Sequence, residues 1–340
     1  MINKRKVIFV LPIFIFILLF LFYYFSKQKI SKWGNGSRNY TESLNLTNPI
    51  SKWEDAYRLF VRDSNVITIN ESKIKILNFE SDKSIEINTE NAYYSTTSKD
   101  TFIYLDNKKN LLFKLVKNNV VDSLKFIGAD GELNLVNNDI FSYNYETNND
   151  SLEFYLQDKN KKKLIDLSKI FYPELNKIIS DCKSSLTESK ICSNENNLVL
   201  VPMKIGFFVI YDFKTQDYKK VKTVDERDII LQNQLEFDAP GLGKGFKCEA
   251  IGQHEYIQSS ACIQSNTLYI LQDIVLGSEK EKAFYSIIDM YNLDKSNYVG
   301  SLKIKLKDKL NEILQIQCNK ENLFFLMYNG EVIKLKHSSL

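Results

Sequence analysis

The chain has 340 residues, 44% of them hydrophobic and 26% charged, which supplies apolar side chains for a sizeable core and excludes a disordered or collagen-like polypeptide. Lysine and arginine (45) nearly balance aspartate and glutamate (42), so no excess of positive charge steers the molecule toward nucleic acid. The 19 Tyr and 22 Phe suit pleated surfaces and lean the composition toward β structure.

The first element is the uncharged run from Val7 to Phe25 (VIFVLPIFIFILLFLFYYF), which as a helix reaches roughly 28 Å, about the thickness of a bilayer core. It predicts a transmembrane anchor over 7–25 behind a cytoplasmic tail at 1–6. A cleaved signal peptide is the alternative, although the run ends in Tyr23, Tyr24 and Phe25 rather than in small residues. Lys4, Arg5 and Lys6 precede the run and Lys27, Lys29 and Lys32 follow it. The compact N-terminal cluster with the free amino group favours the N-terminus in the cytoplasm and the C-terminal domain in the periplasm or outside the cell. Residues 26–52 then read as a polar stalk, carrying Gly34, Gly36 and Pro49 and no strand or helix period.

From 53 to 340 the sequence is a succession of short strands between Asn, Asp, Gly and Lys clusters. One unit recurs, an Asn- or Asp-led turn followed by three strands. It runs as NVITIN, KIKILNF, SIEIN from Asn65 and as DTFIYLD, NLLFKLV, VDSLKFI from Asp100. It returns as DIFSYNYE, SLEFYLQD, KKLIDLS from Asp139, as NLVLVPM, FFVIYDF, YKKVKTV from Asn197, and as TLYILQD, FYSIIDMYN, YVGSLKI from Thr267. The last copy, NLFFLMY and EVIKLKH from Asn322, lacks its outermost strand. Candidate innermost strands precede most copies, as AYYSTTS, GELNLV, SSACIQS and EILQIQCN. Repeats of roughly 40 to 50 residues with about four strands each are the pattern of propeller blades. The expected fold is all-β, a six-bladed β-propeller behind the transmembrane helix, with a pair of β-sandwiches as the alternative. Ala56 to Arg62 (AYRLFVR) is expected to add the missing strand to the last blade and remove its open edge.

The segments LYILQD, IIDMYNLDKSNYVGSLKI and FFVIYDFKTQDYKKV resemble blades of TolB-like and NHL-like propellers, including cell-envelope propellers of Bacteroidota. The resemblance spans about residues 56 to 337. It implies a fold and an envelope setting and no particular activity, since such propellers include scaffolds, ligand binders and several enzymes. Some lactonase-like members hold calcium in the central tunnel with oxygen ligands; Glu132, Asn134, Gln264 and Asn266 are the residues on or near inner strands here to which that would apply.

Of five cysteines, Cys182 with Cys192 and Cys248 with Cys262 form two local pairs, which read as short-loop disulfides in an oxidising compartment with Cys318 left as a thiol. Inert core thiols are the alternative. Neither pair has zinc-site spacing, and His254 and His337 are the only histidines. Gly241-Leu-Gly-Lys-Gly-Phe246 matches no phosphate-binding loop, and no Gly-x-Ser-x-Gly elbow accompanies His254. No catalytic residue, metal or cofactor is therefore assigned. The longest interruptions of the repeat, 170–196, 226–255 and 273–282, all fall where a propeller's connections emerge on one face. Long insertions on a rigid scaffold are where binding concentrates, so Lys244, Phe246, His254 and Tyr256 are the candidate contacts for an envelope protein or a small ligand docked over the fourth and fifth blades. A calcium-dependent, lactonase-like hydrolase and a structural subunit of an envelope redox or secretion complex are the alternative functions.

Overall fold

The computed structural model describes residues 38–46, 48–70, 72–89, 94–98, 101–106, 111–116, 119–125, 133–136, 139–146, 151–158, 161–166, 188–224, 231–239, 243–250, 257–278, 283–307 and 311–336. Two short strands come first, β1 (Tyr40–Asn45) and β2 (Ser51–Lys52). A first sheet follows in chain order as β3 (Arg58–Arg62), β4 (Asn65–Ile69), β5 (Lys73–Asn78) and β6 (Lys83–Asn88). The second is β7 (Tyr94–Ser98), β8 (Thr101–Asp106), β9 (Leu111–Val116) and β10 (Asn119–Lys125), and the third β11 (Leu133–Val136), β12 (Asp139–Glu146), β13 (Ser151–Asp158) and β14 (Lys161–Asp166). The fourth is β15 (Ser189–Ser193), β16 (Asn197–Pro202), β17 (Phe207–Asp212) and β18 (Tyr218–Lys222). A separate hairpin, β19 (Leu231–Ala239) with β20 (Gly243–Ala250), precedes the fifth sheet of β21 (Gln258–Gln264), β22 (Thr267–Ser278), β23 (Ala283–Asn292) and β24 (Asn297–Leu306). The sixth is β25 (Ile313–Cys318), β26 (Asn322–Met327) and β27 (Glu331–Lys336), completed at its edge by β2.

Within each sheet consecutive strands are antiparallel neighbours. The first strand of every sheet lies against the first strand of the next, from β3 through β7, β11, β15, β21 and β25 and back to β3. The sheets thus stand radially around a common axis, which is the β-propeller arrangement.

This packing explains the sequence. A second strand is covered by a neighbouring sheet on each face, so it is apolar throughout rather than alternating: all of β16 (NLVLVP) and all of β26 (NLFFLM) are buried. Outermost strands such as β6 (KSIEIN) and β18 (YKKVK) are mostly exposed and correspondingly polar. The core is a series of wedges between sheets. Val199, Phe208 and Ile210 of the fourth meet Leu268, Ile270 and Tyr291 of the fifth, and Phe324 and Leu326 of the sixth meet Leu59 and Val66 of the first. The abundant Asn and Asp are turn chemistry. Asn194 Oδ1 accepts from the backbone N–H of Asn196 and Asn197 at 2.9 and 2.8 Å, and Asn319 Oδ1 does the same for Glu321 and Asn322 at 3.0 and 2.9 Å.

Amides at one recurring position tie sheet to sheet. Asn194 Nδ2 donates to the Ser265 carbonyl at 3.1 Å, Gln264 Nε2 to that of Asn319 at 2.9 Å, and Asn319 Nδ2 to that of Asp63 at 3.1 Å. Each of these residues stands three places before its second strand. At the seam between the sixth and first sheets, Gln315 also takes the Leu59 N–H on Oε1 (2.8 Å) and donates Nε2 to the Leu59 carbonyl (3.0 Å).

Two expectations from the sequence are corrected. The segment AYRLFVR is not the clasp of the last sheet: β3 pairs with β4 as the first strand of the first sheet. The two-residue connection at Asp63 and Ser64, with Asp63 at φ 48°, closes a hairpin onto β4, and Leu59 is fully buried where an outermost strand would expose it. The clasp is β2, pairing Ser51 with Val332 and Lys52 with Glu331. Nor is 26–52 a stalk along its whole length, because β1 adds to the fifth sheet, parallel to β24. The expected membrane span at 7–25 lies outside the described residues.

The strap from Arg38 to Trp53 is held at specific points. Arg38 Nε and an Nη reach the two carboxylate oxygens of Asp289 at 2.9 Å each, with both side chains essentially inaccessible to water. Ser301 Oγ donates to the same carboxylate, and the Tyr298 hydroxyl accepts from Asn39 N–H at 2.9 Å. Gly300 and Gly330 make room for the strap: a Cβ on Gly300 would stand 2.4 Å from Thr41, and one on Gly330, at φ 77°, 2.1 Å from the Trp53 carbonyl oxygen. Asp289→Ala leaves a buried guanidinium without its carboxylate and is expected to cost about 3–5 kcal/mol in denaturant unfolding, whereas the double change Asp289→Leu with Arg38→Met should recover most of that loss. A loss under about 1 kcal/mol for the single change would show that the strap does not contribute to the domain's stability.

Candidate functional site

The starts of the first strands and the turns between second and third strands lie at the same end of the sheets, because alternate strands run in opposite directions. Backbone bonds confirm the pairing: Met203 N–H donates to the Glu188 carbonyl at 2.8 Å, Asp273 N–H to that of Ile257 at 2.9 Å, and Tyr328 N–H to that of Glu312 at 2.9 Å. At this end, around the axis, lies a cavity of about 540 Å³. Tyr57, Arg58, Lys190, Asp273, Glu312 and Tyr328 are among the residues that line it. Met203 and Ile313 are buried in its wall, while Leu314 (37% exposed) and Tyr328 (74%) present apolar surface at its rim. The mouth therefore combines cationic, anionic and aromatic groups contributed by several sheets, the mixture expected where a rigid scaffold displays binding chemistry.

A larger cleft of about 690 Å³ opens at the other end, between the turns of the fourth sheet and the β23–β24 turn. Several polar groups in it and beside it hold those turns. Asp212 Oδ1 accepts from Lys214 and Thr215 N–H at 2.8 Å each, and these backbone donors, that of Thr215 foremost, hold its carboxyl below the usual range. Asn194 caps its own turn as described, and Asn292 Oδ1 accepts from Lys295 N–H at 2.8 Å. This end reads as self-satisfied turn structure.

The sequence-predicted contacts fall on the insertion between the fourth and fifth sheets. Lys244 and Phe246 are on β20, opposite Asp238 and Glu236 of β19; His254 and Tyr256 lie outside the described residues. The described stems of this insertion are fixed at the cavity end, where Thr223 N–H donates to the Gly206 carbonyl at 3.0 Å and Ile257 N–H to that of Met203 at 2.7 Å. Tyr57, Arg58, Leu314 and Tyr328 were not singled out from the sequence. Their common signal is position, since each begins a first strand or caps a turn at this end.

Of the residues to which a calcium site would apply, Glu132 lies outside the described residues and Asn134 is on β11. Gln264 is committed elsewhere: Nε2 donates to Asn319, and Oε1 accepts from the Tyr269 hydroxyl at 3.2 Å, a phenol that burial pushes well above its ordinary range. Among the described residues no three His, Cys, Asp or Glu side chains gather as a metal site would require. The disulfides expected at Cys182–Cys192 and Cys248–Cys262 are not what the structure shows either, as it holds Cys192, Cys262 and Cys318 as thiols. Cys192 and Cys262 are buried in two different wedges, and Cys182 lies outside the described residues.

No protein-family model and no curated protein matches the chain. Among solved structures it is similar to the β-propeller domain of Myceliophteria thermophila Cps50, at 10% identity and TM-score 0.48 over 86% of this chain and 99% of that one. It is similar to the WD40 repeats of RRP9 at 8% identity and TM-score 0.49, covering 88% and 98% of the two chains. A catalytically inactive virginiamycin B lyase from Staphylococcus aureus with quinupristin gives 15% identity and TM-score 0.44, covering 87% and 98%. Likenesses this distant carry no function, and the propeller assignment stands on the strand order of the chain itself.

Gln264→Leu should strand the Tyr269 hydroxyl and the Asn319 carbonyl and lower stability by about 1–3 kcal/mol, by the same amount with and without millimolar calcium. A loss seen only in the presence of calcium would instead make Gln264 a ligand.

Proposed function

We propose that this chain is a membrane-anchored, six-bladed propeller of the TolB-like or NHL-like kind that serves as a binding module, receiving its partner at the axial mouth and the adjoining insertions of the fourth and fifth blades. The observation that carries the reading is the axial cavity, in which Arg58, Lys190, Asp273, Glu312, Tyr57 and Tyr328 from four sheets converge. The stems of the β19–β20 insertion start at this end, and the proposal counts Lys244, Phe246, His254 and Tyr256 of that insertion among the contacts. An envelope protein fits better than a very small ligand, because the exposed Leu314 and Tyr328 flank the mouth rather than line its depth.

The strap supports an orientation. Arg38 and Asn39 join the fifth sheet beside Tyr298, next to the β23–β24 turn, at the end opposite the axial mouth. The dozen residues from 26 to 37 reach at most about 40 Å when extended. An anchor at 7–25 with its N-terminus in the cytoplasm then holds the domain close to the outer surface of the membrane with the mouth turned away from it.

A photo-crosslinking side chain placed at Tyr328 in the full chain, in membranes of the native host, is expected to give a discrete adduct, and the same group at Tyr218, exposed at the other end, none. Adducts from Tyr218 alone would overturn the assignment. Protease added to intact spheroplasts should digest the domain, and full protection would reverse the topology.

A further inference from the structure

Two of the thiols face each other across a sheet boundary. β21 and β25 are the first strands of neighbouring sheets, and side-chain ties fix their register on both sides of the cysteines. Ser260 Oγ accepts from Ile316 N–H at 3.1 Å and lies 3.4 Å from the Ile316 carbonyl; four residues further on, Gln264 Nε2 donates to the Asn319 carbonyl at 2.9 Å. Cys262 and Cys318 each stand two residues beyond the first tie, and both belong to the wedge between the fifth and sixth sheets.

The repeat explains the juxtaposition. Cys262 pairs with Tyr269 in its sheet exactly one rung further from the turn than Ile263 with Leu268, and Cys318 occupies the rung of Ile263, opposite Leu323. In the fourth sheet Cys192, opposite Val199, occupies the rung of Cys262. At the boundary between the fourth and fifth sheets that geometry packs Ile263 into the wedge of Cys192. At the next boundary the equivalent two positions are both cysteine. Burial, with the neighbouring Cys318 second to it, pushes the Cys262 thiol well up, while Cys318 is only partly buried. A disulfide needs closely spaced backbones, and the ties on either side hold β21 and β25 close together at the two cysteines.

We propose that Cys262 and Cys318 form a reversible disulfide that staples the fifth sheet to the sixth. The oxidant is a low-molecular-weight disulfide. The Cys318 thiolate, the accessible partner, attacks one of its sulfurs and releases one thiolate, giving a mixed disulfide at Cys318. The Cys262 thiol then loses its proton and attacks the Cys318 sulfur, forming the Cys262–Cys318 bond and expelling the second thiolate. Both cysteines are oxidised by one electron each, the oxidant is reduced to two thiols, and the two protons from the cysteines balance the charge. Because Cys262 is buried and hard to ionise, the second step is the slow one.

The full chain is reduced, then equilibrated with oxidised glutathione at low protein concentration and mapped without reduction. The expected result is a single peptide linking Cys262 to Cys318, with a Tm raised by about 5 °C or more that dithiothreitol reverses. Cys318→Ser should abolish the linked peptide and the shift together, and Cys262→Ala, which keeps the site apolar, should do the same while leaving Cys318 open to glutathionylation. Cys262 linked to Cys248, or both thiols still open to alkylation in the unfolded, oxidant-equilibrated protein, would overturn the proposal.

Discussion

Everything in this domain depends on the fact that its sheets have no exposed face to spare. β16 and β26 are buried along their whole length, so neither sheet reaches a stable state until a neighbour covers each side. A linear stack would leave two apolar faces in water; a ring leaves none. The seam where the ring closes is accordingly strengthened in two ways. Gln315 and Asn319 supply three side-chain bonds to the backbone of the first sheet, and β2 crosses to the far edge of the sixth sheet, so that chain from before the first strand completes the last sheet. Among the described residues neighbouring sheets share no ladder at these boundaries. Apolar wedges supply the cohesion, and the amides set the register that apolar packing alone leaves loose.

The same need for register accounts for the buried ion pair. β1 (YTESLN) has no apolar alternation, and a parallel edge strand of that composition can slide along β24 at little cost. A guanidinium bound through two nitrogens to a carboxylate has essentially one acceptable position, and desolvating both groups makes every other position expensive. Asp289 is further held by Ser301, while Gly300 lets the strap approach closely only at the point it occupies. Specificity of placement, rather than net stabilisation, is what such a pair contributes best.

Much of this architecture was legible in the sequence because it is local. The turn residues Asn194, Asn319 and Asp212 announce hairpins by chemistry that acts within three residues, and the continuous apolar runs NLVLVP and NLFFLM announce strands covered on both sides. What was misread depends on partners distant in the chain. AYRLFVR has the alternation of an edge strand, and only the tight Asp63-Ser64 connection betrays that it belongs to β4. The strap looks like linker because its order comes from Asp289 and Gly300, some 250 residues away. Short sequence spacing suggested Cys248 as the partner of Cys262, yet Cys248 stands on the separate β19–β20 hairpin and Cys262 on the first strand of the fifth sheet. Gln264 shows the same limit, since an amide near the axis is equally suited to a cation and to a neighbouring carbonyl until the register of β25 is known.

The two ends of the sheets differ in what their polar groups are left to do. At the end bearing the first-to-second and third-to-fourth strand turns, the connections are short, and Asn194, Asp212, Asn292 and Asn319 spend their acceptors on their own turns. Changing the chemistry there means changing the turn, so recognition is expensive to build at that end. At the other end main-chain bonds, as between Tyr328 and Glu312 or Met203 and Glu188, fix the strands, and the side chains that hold the turns, Asn70, Asn329 and Gln258, are not among those that line the cavity. Charge, aromatic surface and long insertions can vary there without disturbing the ring, which is the physical reason a binding surface belongs at the mouth that Arg58, Glu312 and Tyr328 surround.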